Sequence, residues 1–389
     1  MAETVVIRGI DPLLFRDGRP FSNVEGALAA QTLPVPLPGT IAGFLRTRIG
    51  EAEKWDWKSD GPERARRIAV RGPILRRNSV PLFSAPADAV VHGDDDGKTL
   101  KVMALRPVAL PEESGCDLPH PGLLPLQVAE SAKAKNGYAF WTDEEIYRWL
   151  ASPDGAGFDA PQDIRGLPRE ERVQVAIDPA TGTAREGMLF TVGLLGFEEY
   201  PPHKTDRAGA AGTPALWSLL ARVESDARIA GAGLLGGEQR LAAIERPESE
   251  AWPTCPESLT RALAEARFAR MVLATPALFA GGWKPGWLNE DLSGCPPGLG
   301  VRLRLVSAAV KRREAVSGWD YEKRGPKAVR WMAPAGSVYF FEVIDEQPGI
   351  KLDSAWLTAV SDDIQDRRDG YGLSLWGVWG GLKKEVRGT

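Results

Sequence analysis

Asp11-Pro12-Leu13-Leu14-Phe15-Arg16-Asp17-Gly18 has a near-copy in Thr275-Pro276-Ala277-Leu278-Phe279-Ala280-Gly281-Gly282. Both read x-Pro-x-Leu-Phe-x-x-Gly. Each follows a short apolar run, Thr4 to Ile10 in the first case and Ala269 to Ala274 in the second. Apolar, β-rich runs bounded by turn residues read as buried strands. The far ends match as well. Pro214 to about Ser225 carries Leu216, Leu219, Leu220 and Val223 at helical spacing. It leads through Gly231-Ala-Gly233-Leu-Leu-Gly236-Gly237 into the strand-like Arg240 to Ile244. Asp353 to about Ile364 reads as a second such helix, followed by Gly370-Tyr371-Gly372 and a strand from Leu373 to Trp379. Two motifs recurring in the same order indicate an internal repeat of a domain-sized unit.

Between these ends, Ile41, Phe44, Leu45 and Ile49 fall on one helical face, with Thr40 placed as N-cap and Gly50 as stop. Ala85 to Val91 and Thr99 to Leu105 read as a hairpin turning on Asp96-Gly97. The run Asp94-Asp95-Asp96 lacks the alternate-residue ligand spacing and distal Glu of a calcium loop. Residues 107–137 are a Pro/Gly-rich excursion, and Thr142-Asp-Glu-Glu145 caps a short helix through Leu150. A unit of strand, early helix, hairpin, late helix and closing strand is the βαββαβ ferredoxin-like (RRM-like) plait. The expected fold is therefore α+β: two tandem ferredoxin-like domains with long insertions, 1–248 and 249–389, joined near residues 245–262.

Length supports two domains, since 389 residues exceed one ordinary core. With 48 basic and 52 acidic side chains the net charge is −4, which excludes a globally basic nucleic-acid binder but not a local basic groove. The 42 glycines and 31 prolines exceed average usage without reaching the range of disorder, so they punctuate folded elements. Three dispersed cysteines, Cys116, Cys255 and Cys295, offer neither a disulfide framework nor a CxxC metal site. The N-terminal residues lack the apolar stretch of a signal peptide, and no run is long enough to span a membrane, so the cytoplasm is the expected location.

Catalytic signatures are sparse. His92, His120 and His203 stand in separate loops, and no nucleophile elbow, Walker sequence or zinc-protease motif is present. Gly231-Ala-Gly233 and Gly370-Tyr-Gly372 follow a helical reading and precede a strand, the reverse of a dinucleotide loop. Neither cofactor nor metal is expected. Binding is better supported. From Arg302 to Arg330 nine bases stand against three acids, a local balance of +6, with Trp319, Tyr321 and Trp331 interleaved. Cations that follow a phosphate backbone while bases stack on rings suit single-stranded nucleic acid. Glycine loops and helix starts such as Gly39-Thr40 offer backbone N–H groups to phosphates, and Arg16, Arg19 and Arg46 lie in or beside such features.

Several stretches then fit one pattern in order: Ile10-Asp-Pro-Leu-Leu-Phe-Arg-Asp-Gly-Arg-Pro-Phe21, Pro38-Gly-Thr-Ile-Ala-Gly-Phe-Leu-Arg46, Leu82-Phe-Ser-Ala-Pro-Ala-Asp88 and Leu105-Arg-Pro107. Leu235-Gly-Gly-Glu-Gln-Arg240, Gly281-Gly-Trp-Lys-Pro-Gly-Trp287, Val316-Ser-Gly-Trp-Asp320, Gly325-Pro-Lys327 and Pro334-Ala-Gly-Ser-Val-Tyr-Phe-Phe341 continue it. The set, from Val5 to Trp379, resembles the third subunit of the Cmr effector complex of type III-B CRISPR systems, in the RAMP superfamily. The resemblance implies two fused RRM/ferredoxin-like RAMP domains and a non-catalytic role in antiviral defence. The implied partners are the guide (CRISPR) RNA, whose 5′ tag is held, the large polymerase/cyclase-like subunit, and neighbouring backbone RAMP subunits. No membrane is involved.

The RAMP glycine-rich loop then falls on Gly370, Tyr371 and Gly372 with Gly377, and its first-domain counterpart on Gly233 to Gly237. The expected RNA contacts are Arg16, Asp17, Gly18, Arg19, Gly39, Thr40, Arg46, Gly236, Gly237, Arg240, Lys284, Trp319, Lys323, Lys327, Gly370, Tyr371 and Gly372. Some RAMP relatives process guide RNA with a histidine near the first helix, which makes a metal-independent ribonuclease the alternative. The segment from Ile41 to Gly50 has no His, Tyr or Lys to do that work. A sugar platform on Trp283, Trp287 and Trp319 is a remoter third reading.

Overall fold

The computed structural model describes residues 2–16, 29–93, 99–111, 113–155, 158–201, 213–320, 325–344 and 352–382. The chain divides into two compact units. Met1–Pro81, Gly166–Trp252 and Ala315–Arg330 form the first; Leu82–Arg165, Pro253–Glu314 and Trp331–Thr389 form the second. The architecture is mixed α/β, mostly strands with few helices. The N-terminal segment holds β1 (Ala2–Gly9), α1 (Pro38–Ala52), α2 (Gly61–Arg67) and β2 (Val70–Arg77). Then come the hairpin of β3 (Ala89–Gly93) and β4 (Leu100–Ala104), and α3 (Asp143–Ala151). Gly166–Trp252 contains β5 (Arg169–Ile177), β6 (Ala184–Leu195), β7 (Ala215–Glu224), β8 (Gly231–Leu234) and β9 (Leu241–Glu245). The remainder supplies α4 (Glu257–Ala264), β10 (Phe268–Leu273), β11 (Leu303–Ala309), β12 (Val338–Val343), α5 (Ile364–Arg368) and β13 (Leu373–Val378).

In the first unit the strands lie in the order β8-β9-β1-β7-β2, with antiparallel neighbours. Numbered along the chain, β1, β2, β7 and β9 thus sit fourth-first-third-second. Alternation puts Val5 and Ile7 of β1 fully inside, as a one-sided sheet requires. Helix α1 packs on β2 and buries Ile41, Ala42, Leu45 and Ile49. A separate antiparallel pair, β5 with β6, carries a row of exposed apolar residues: Val173, Val175, Ile177 and Leu189.

The second unit repeats the strand order. Its sheet runs β11-β12-β10-β13, again fourth-first-third-second and antiparallel, extended by Ser293–Gly294 beside β11 and Thr358–Ala359 beside β13. Helices α3 and α4 pack on β13. Gly377 makes this close approach possible, because a Cβ there would stand 2.5 Å from the Leu150 carbonyl oxygen. Inside the unit Arg270 is fully buried on β10. Its Nη1 meets Asp88 Oδ2 at 2.7 Å, its Nη2 donates to the carbonyls of Trp149 and of Ser152 (3.0 Å for the latter), and Trp149 Nε1 donates to Asp88 Oδ1 at 2.9 Å.

Three local expectations fail for physical reasons. The segment from Pro214 to Ser225 is strand β7, not a helix. Trp217, Leu219, Ala221 and Val223 form the alternating buried set, and Leu220 on the other face is buried as well. That extra buried residue imitates helical spacing; Leu216, which a helix would bury, is exposed. The segment from Asp353 to Ile364 is a short 3-10 turn and an edge strand rather than a helix. Leu357 adopts φ 51°, Thr358–Ala359 joins the sheet, and the helix starts only after Asp363, whose carboxylate caps Gln365 and Asp366. Helix α1 begins at Pro38 with Leu37 as N-cap, so Thr40 is inside it. Gly50 does not stop it either, but leaves room for Trp55 and Trp57 to lie against it.

Several other local readings hold where residues are described, whereas Gly231–Leu234, read as loop, is strand β8. The strands after Thr4 and Ala269 form, the 85–105 hairpin pairs as β3 and β4, and Thr142 makes a full capping box with Glu145. The Asp94–Gly97 turn lies outside the described residues.

Candidate functional site

The repeated Pro-x-Leu-Phe segments are held by the same hydrogen bonds in both units. In the first, Ile10 and Asp11 N–H both donate to the Leu241 carbonyl (2.9 and 3.3 Å), and Leu241 N–H donates to the Asp11 carboxylate (3.1 Å). In the second, Ala274 and Thr275 N–H both donate to the Leu373 carbonyl (2.7 and 3.4 Å), and Leu373 N–H donates to the Thr275 hydroxyl (2.9 Å). Two residues later, Leu13 exchanges paired backbone bonds with Leu195 (2.9 and 2.8 Å), as Ala277 does with Ala333 (2.9 Å each way). The opening strand of each unit is thereby latched to its closing strand.

The glycine loops complete this latch. Gly237 N–H donates to the Leu14 carbonyl and Gly372 N–H to the Pro276 carbonyl, both at 2.8 Å. Gly236 has φ +80°, and a Cβ there would stand 2.4 Å from the Leu14 oxygen; Gly372 has φ +81°, and its Cβ would meet Ser361 Oγ at 2.7 Å. Only glycine accepts both the left-handed backbone and the close approach. Gly370 also has positive φ, and its carbonyl accepts from Thr275 Oγ1 at 2.7 Å, while Tyr371 is buried. Gly377 is part of strand β13 and so does not close the loop.

The other residues singled out above are placed as follows. Arg16 follows the latch directly, exposed, and forms a β-bridge with Thr32. Asp17, Gly18, Arg19 and Lys323 lie outside the described residues, as does the Trp319 side chain. Gly39 and Thr40 sit in the first turn of α1, and Thr40 N–H donates to the Leu37 carbonyl. Arg46 is buried and points its fork at the Ile68 carbonyl, with Nε at 3.0 Å and Nη2 at 2.7 Å, tying α1 to the chain just before β2. Arg240 pairs with Glu238 at 3.0 Å. Lys284 is half-buried, bridged to Gly281, with its ammonium 3.5 Å from the Asn289 carbonyl. Lys327 is exposed, and its N–H donates to the Gly318 carbonyl.

The basic segment contributes two further groups in the second unit. Arg313 places its guanidinium 4.3 Å over the ring of exposed Trp331. The Lys311 ammonium donates to the Ala85 carbonyl at 2.8 Å; burial pushes this amine below the ordinary lysine range, against the pull of Glu314. The buried Arg270–Asp88 pair has no counterpart among the sequence expectations, since a lone Arg in an apolar strand has no local signature. Of the ring platform proposed for sugars, Trp287 is committed to packing: its Nε1 donates to the Val360 carbonyl and its ring lies against Phe341. Among the described residues no group of three or more His, Cys, Asp or Glu is placed to hold a metal ion. No described helix is long and apolar enough to cross a membrane.

Comparison with known proteins places these features in a family. The family model described as CRISPR-associated protein (Cas_Cmr3) matches residues 5–379. No curated protein matches the chain. Among solved structures, a chain of the type III-B Cmr-beta bound to cognate target RNA and AMPPnP is 17% identical with TM-score 0.48, over 87% of this chain and 86% of that one. A chain of Cmr-beta bound to cognate target RNA is 16% identical with TM-score 0.46, over 87% and 86%. A chain of the Csm3-Csm4 subcomplex of the type III-A interference complex is 9% identical with TM-score 0.30, over 90% and 98%. With the family model covering all but the two ends, the chain belongs to the Cmr3 family, subunits of the Cmr complex of type III-B CRISPR systems.

Proposed function

We propose that this chain is a non-catalytic RNA-binding subunit that anchors the 5′ repeat-derived tag of the guide RNA and docks the large polymerase/cyclase-like subunit, beside neighbouring RAMP subunits, in antiviral defence. Each sheet is read as a ferredoxin-like RAMP domain, a reading supported by the fourth-first-third-second antiparallel order in both units. The observation that carries RNA binding is Arg313 lying over exposed Trp331 within the basic stretch, a cation and a ring offered together. Exposed Arg16 beside the first latch, and exposed Lys327, are the leading single-residue contacts.

Binding of the full chain to tag RNA, followed by fluorescence anisotropy against salt, tests this reading. Each of Arg16→Ala, Arg19→Ala and Lys327→Ala should weaken binding and lower the salt slope by about 1 for each phosphate that is no longer neutralised. Unchanged binding in all three removes the assignment, and failure to retain the large subunit in a pull-down removes the docking role. Ribonuclease action is disfavoured because α1 carries no His, Tyr or Lys. A specific, histidine-dependent cut in repeat RNA would overturn the non-catalytic reading.

A further inference from the structure

Strand β8 ends the first sheet, and its hydrogen bonding is one-sided. Leu235 N–H donates to the Arg240 carbonyl at 2.9 Å, and on the far side of β9 Ile10 N–H donates to the Leu241 carbonyl at 2.9 Å. Bonded and non-bonded pairs alternate along an antiparallel ladder. Gly231 and Gly233 therefore bond to β9, while the N–H and C=O groups of Ala232 and Leu234 point away from the sheet. Among the described residues no strand pairs with that side. Edge strands are ordinarily blunted by lysine, proline, a bulge or a charge. Gly231-Ala-Gly-Leu234 has none of these, and both Ala232 and Leu234 are exposed.

The face beside this edge is apolar. Ile10, Leu241 and Leu234 stand in one row from the end of β1 across β9 to β8, on the side opposite α1, and are 56%, 39% and 60% exposed. The row stops at the edge. The charges around it are matched within the chain: Arg8 meets Glu245 at 2.9 Å, Arg240 meets Glu238 at 3.0 Å, and Arg48, which lies against Gly233, pairs with Glu51. A strongly charged partner gains little from such self-paired groups, whereas a second copy of the same neutral surface approaches without like-charge repulsion. The backbone pattern is also self-complementary, since two β8 strands related by a two-fold axis are antiparallel and present the same outward groups.

We propose that two copies of the free chain pair edge to edge through β8, about a two-fold axis at Gly233. In this register Ala232 of each copy lies opposite Leu234 of the other, their outward groups form four N–H···O=C bonds, and each Leu234 side chain covers the Ala232 of the other copy. Glycine at the axis leaves room where the two backbones come closest. The contact is smaller than the roughly 1,200–2,000 Å² of a standard interface, so the dimer is a weak one. Sedimentation equilibrium of the full chain, without RNA or other subunits, should give a monomer–dimer equilibrium with a dissociation constant on the order of 10–100 μM. Leu234→Pro removes an N–H that the sheet itself does not use, and should weaken self-association about tenfold or more while circular dichroism and the thermal midpoint stay unchanged. Ala232→Lys, a charge placed on the exposed edge, should do the same and serves if Leu234→Pro does not fold. A chain that stays monomeric across that concentration range, or a dimer whose constant is unaltered in the folded variants, overturns the proposal. If the chain is monomeric and Ala232→Lys instead fails to retain the large subunit in a pull-down, the edge belongs to that subunit and the pairing of copies falls.

Discussion

The two sheets have the same strand order and the same latch, yet they are covered differently. After the opening strand of the first unit comes α1, packed on β2; after β10 of the second no helix follows, and residues 274–302 run through turns and the two-residue strand Ser293–Gly294 to β11. There α3 and α4 supply the covering helices, both against β13. What repeats is therefore the hydrogen-bonded frame: Asp11 with Leu241 matching Thr275 with Leu373, and Leu13 with Leu195 matching Ala277 with Ala333. A sheet must have its apolar face covered, but any element with a suitable apolar stripe will serve. The frame is set by backbone geometry and tolerates less.

The interiors differ too, and this gives the strongest way to break the comparison. The Arg270–Asp88 pair is the one ion pair with both side chains at 0% exposure among the described residues, and it belongs to the second unit. Asp88→Ala should cost about 3–5 kcal/mol in urea unfolding, since it leaves Arg270 charged in the interior. A loss no larger than that of a surface pair would show that the two interiors are equivalent after all. Next comes Thr275→Val, which removes both the bond to Leu373 N–H and the bond to the Gly370 carbonyl at a buried position. It should cost roughly 1–3 kcal/mol. Thr142→Ala removes the capping box of α3, a device α1 lacks, at about 1 kcal/mol. Asp11→Ala, the first-unit counterpart of the Thr275 change, meets only one N–H in a more exposed place and should cost about 0.5–1.5 kcal/mol. If Asp11→Ala proves as damaging as Thr275→Val, the latches are energetically equal as well as geometrically alike.

Legibility in the sequence follows how local each signal is. The opening strands, the 85–105 hairpin and the Thr142 capping box depend on neighbours a few residues apart, and they are readable. The repeat itself is readable because Pro-x-Leu-Phe forms the latch in both units. Strand β7 imitates a helix because Leu219, Leu220 and Ala221 are all buried, so both faces carry apolar residues there and period two is blurred. The helix expected before Ile364 fails because Thr358–Ala359 finds a strand partner in β13, a tertiary choice that propensity does not record. Among the candidate contacts, Arg46 and Tyr371 are turned inward, and the glycines of both loops touch their own chain; that distinction depends on partners far along the chain.

The Arg270–Asp88 pair also sets an order of events in synthesis. The partners are 182 residues apart, and at bacterial or eukaryotic elongation rates Asp88 leaves the ribosome roughly 10–35 s before Arg270. For that interval Asp88 lacks the guanidinium that pairs with it in the folded unit, while β1 and β2 still await β7 and β9. Neither unit can close by adding residues in sequence, because each is interrupted by the other. A nascent chain of this protein exposes unfinished sheet edges for many seconds, and a truncated product ending before Phe268 would retain Asp88 without its ion-pair partner Arg270 and a sheet with no first strand.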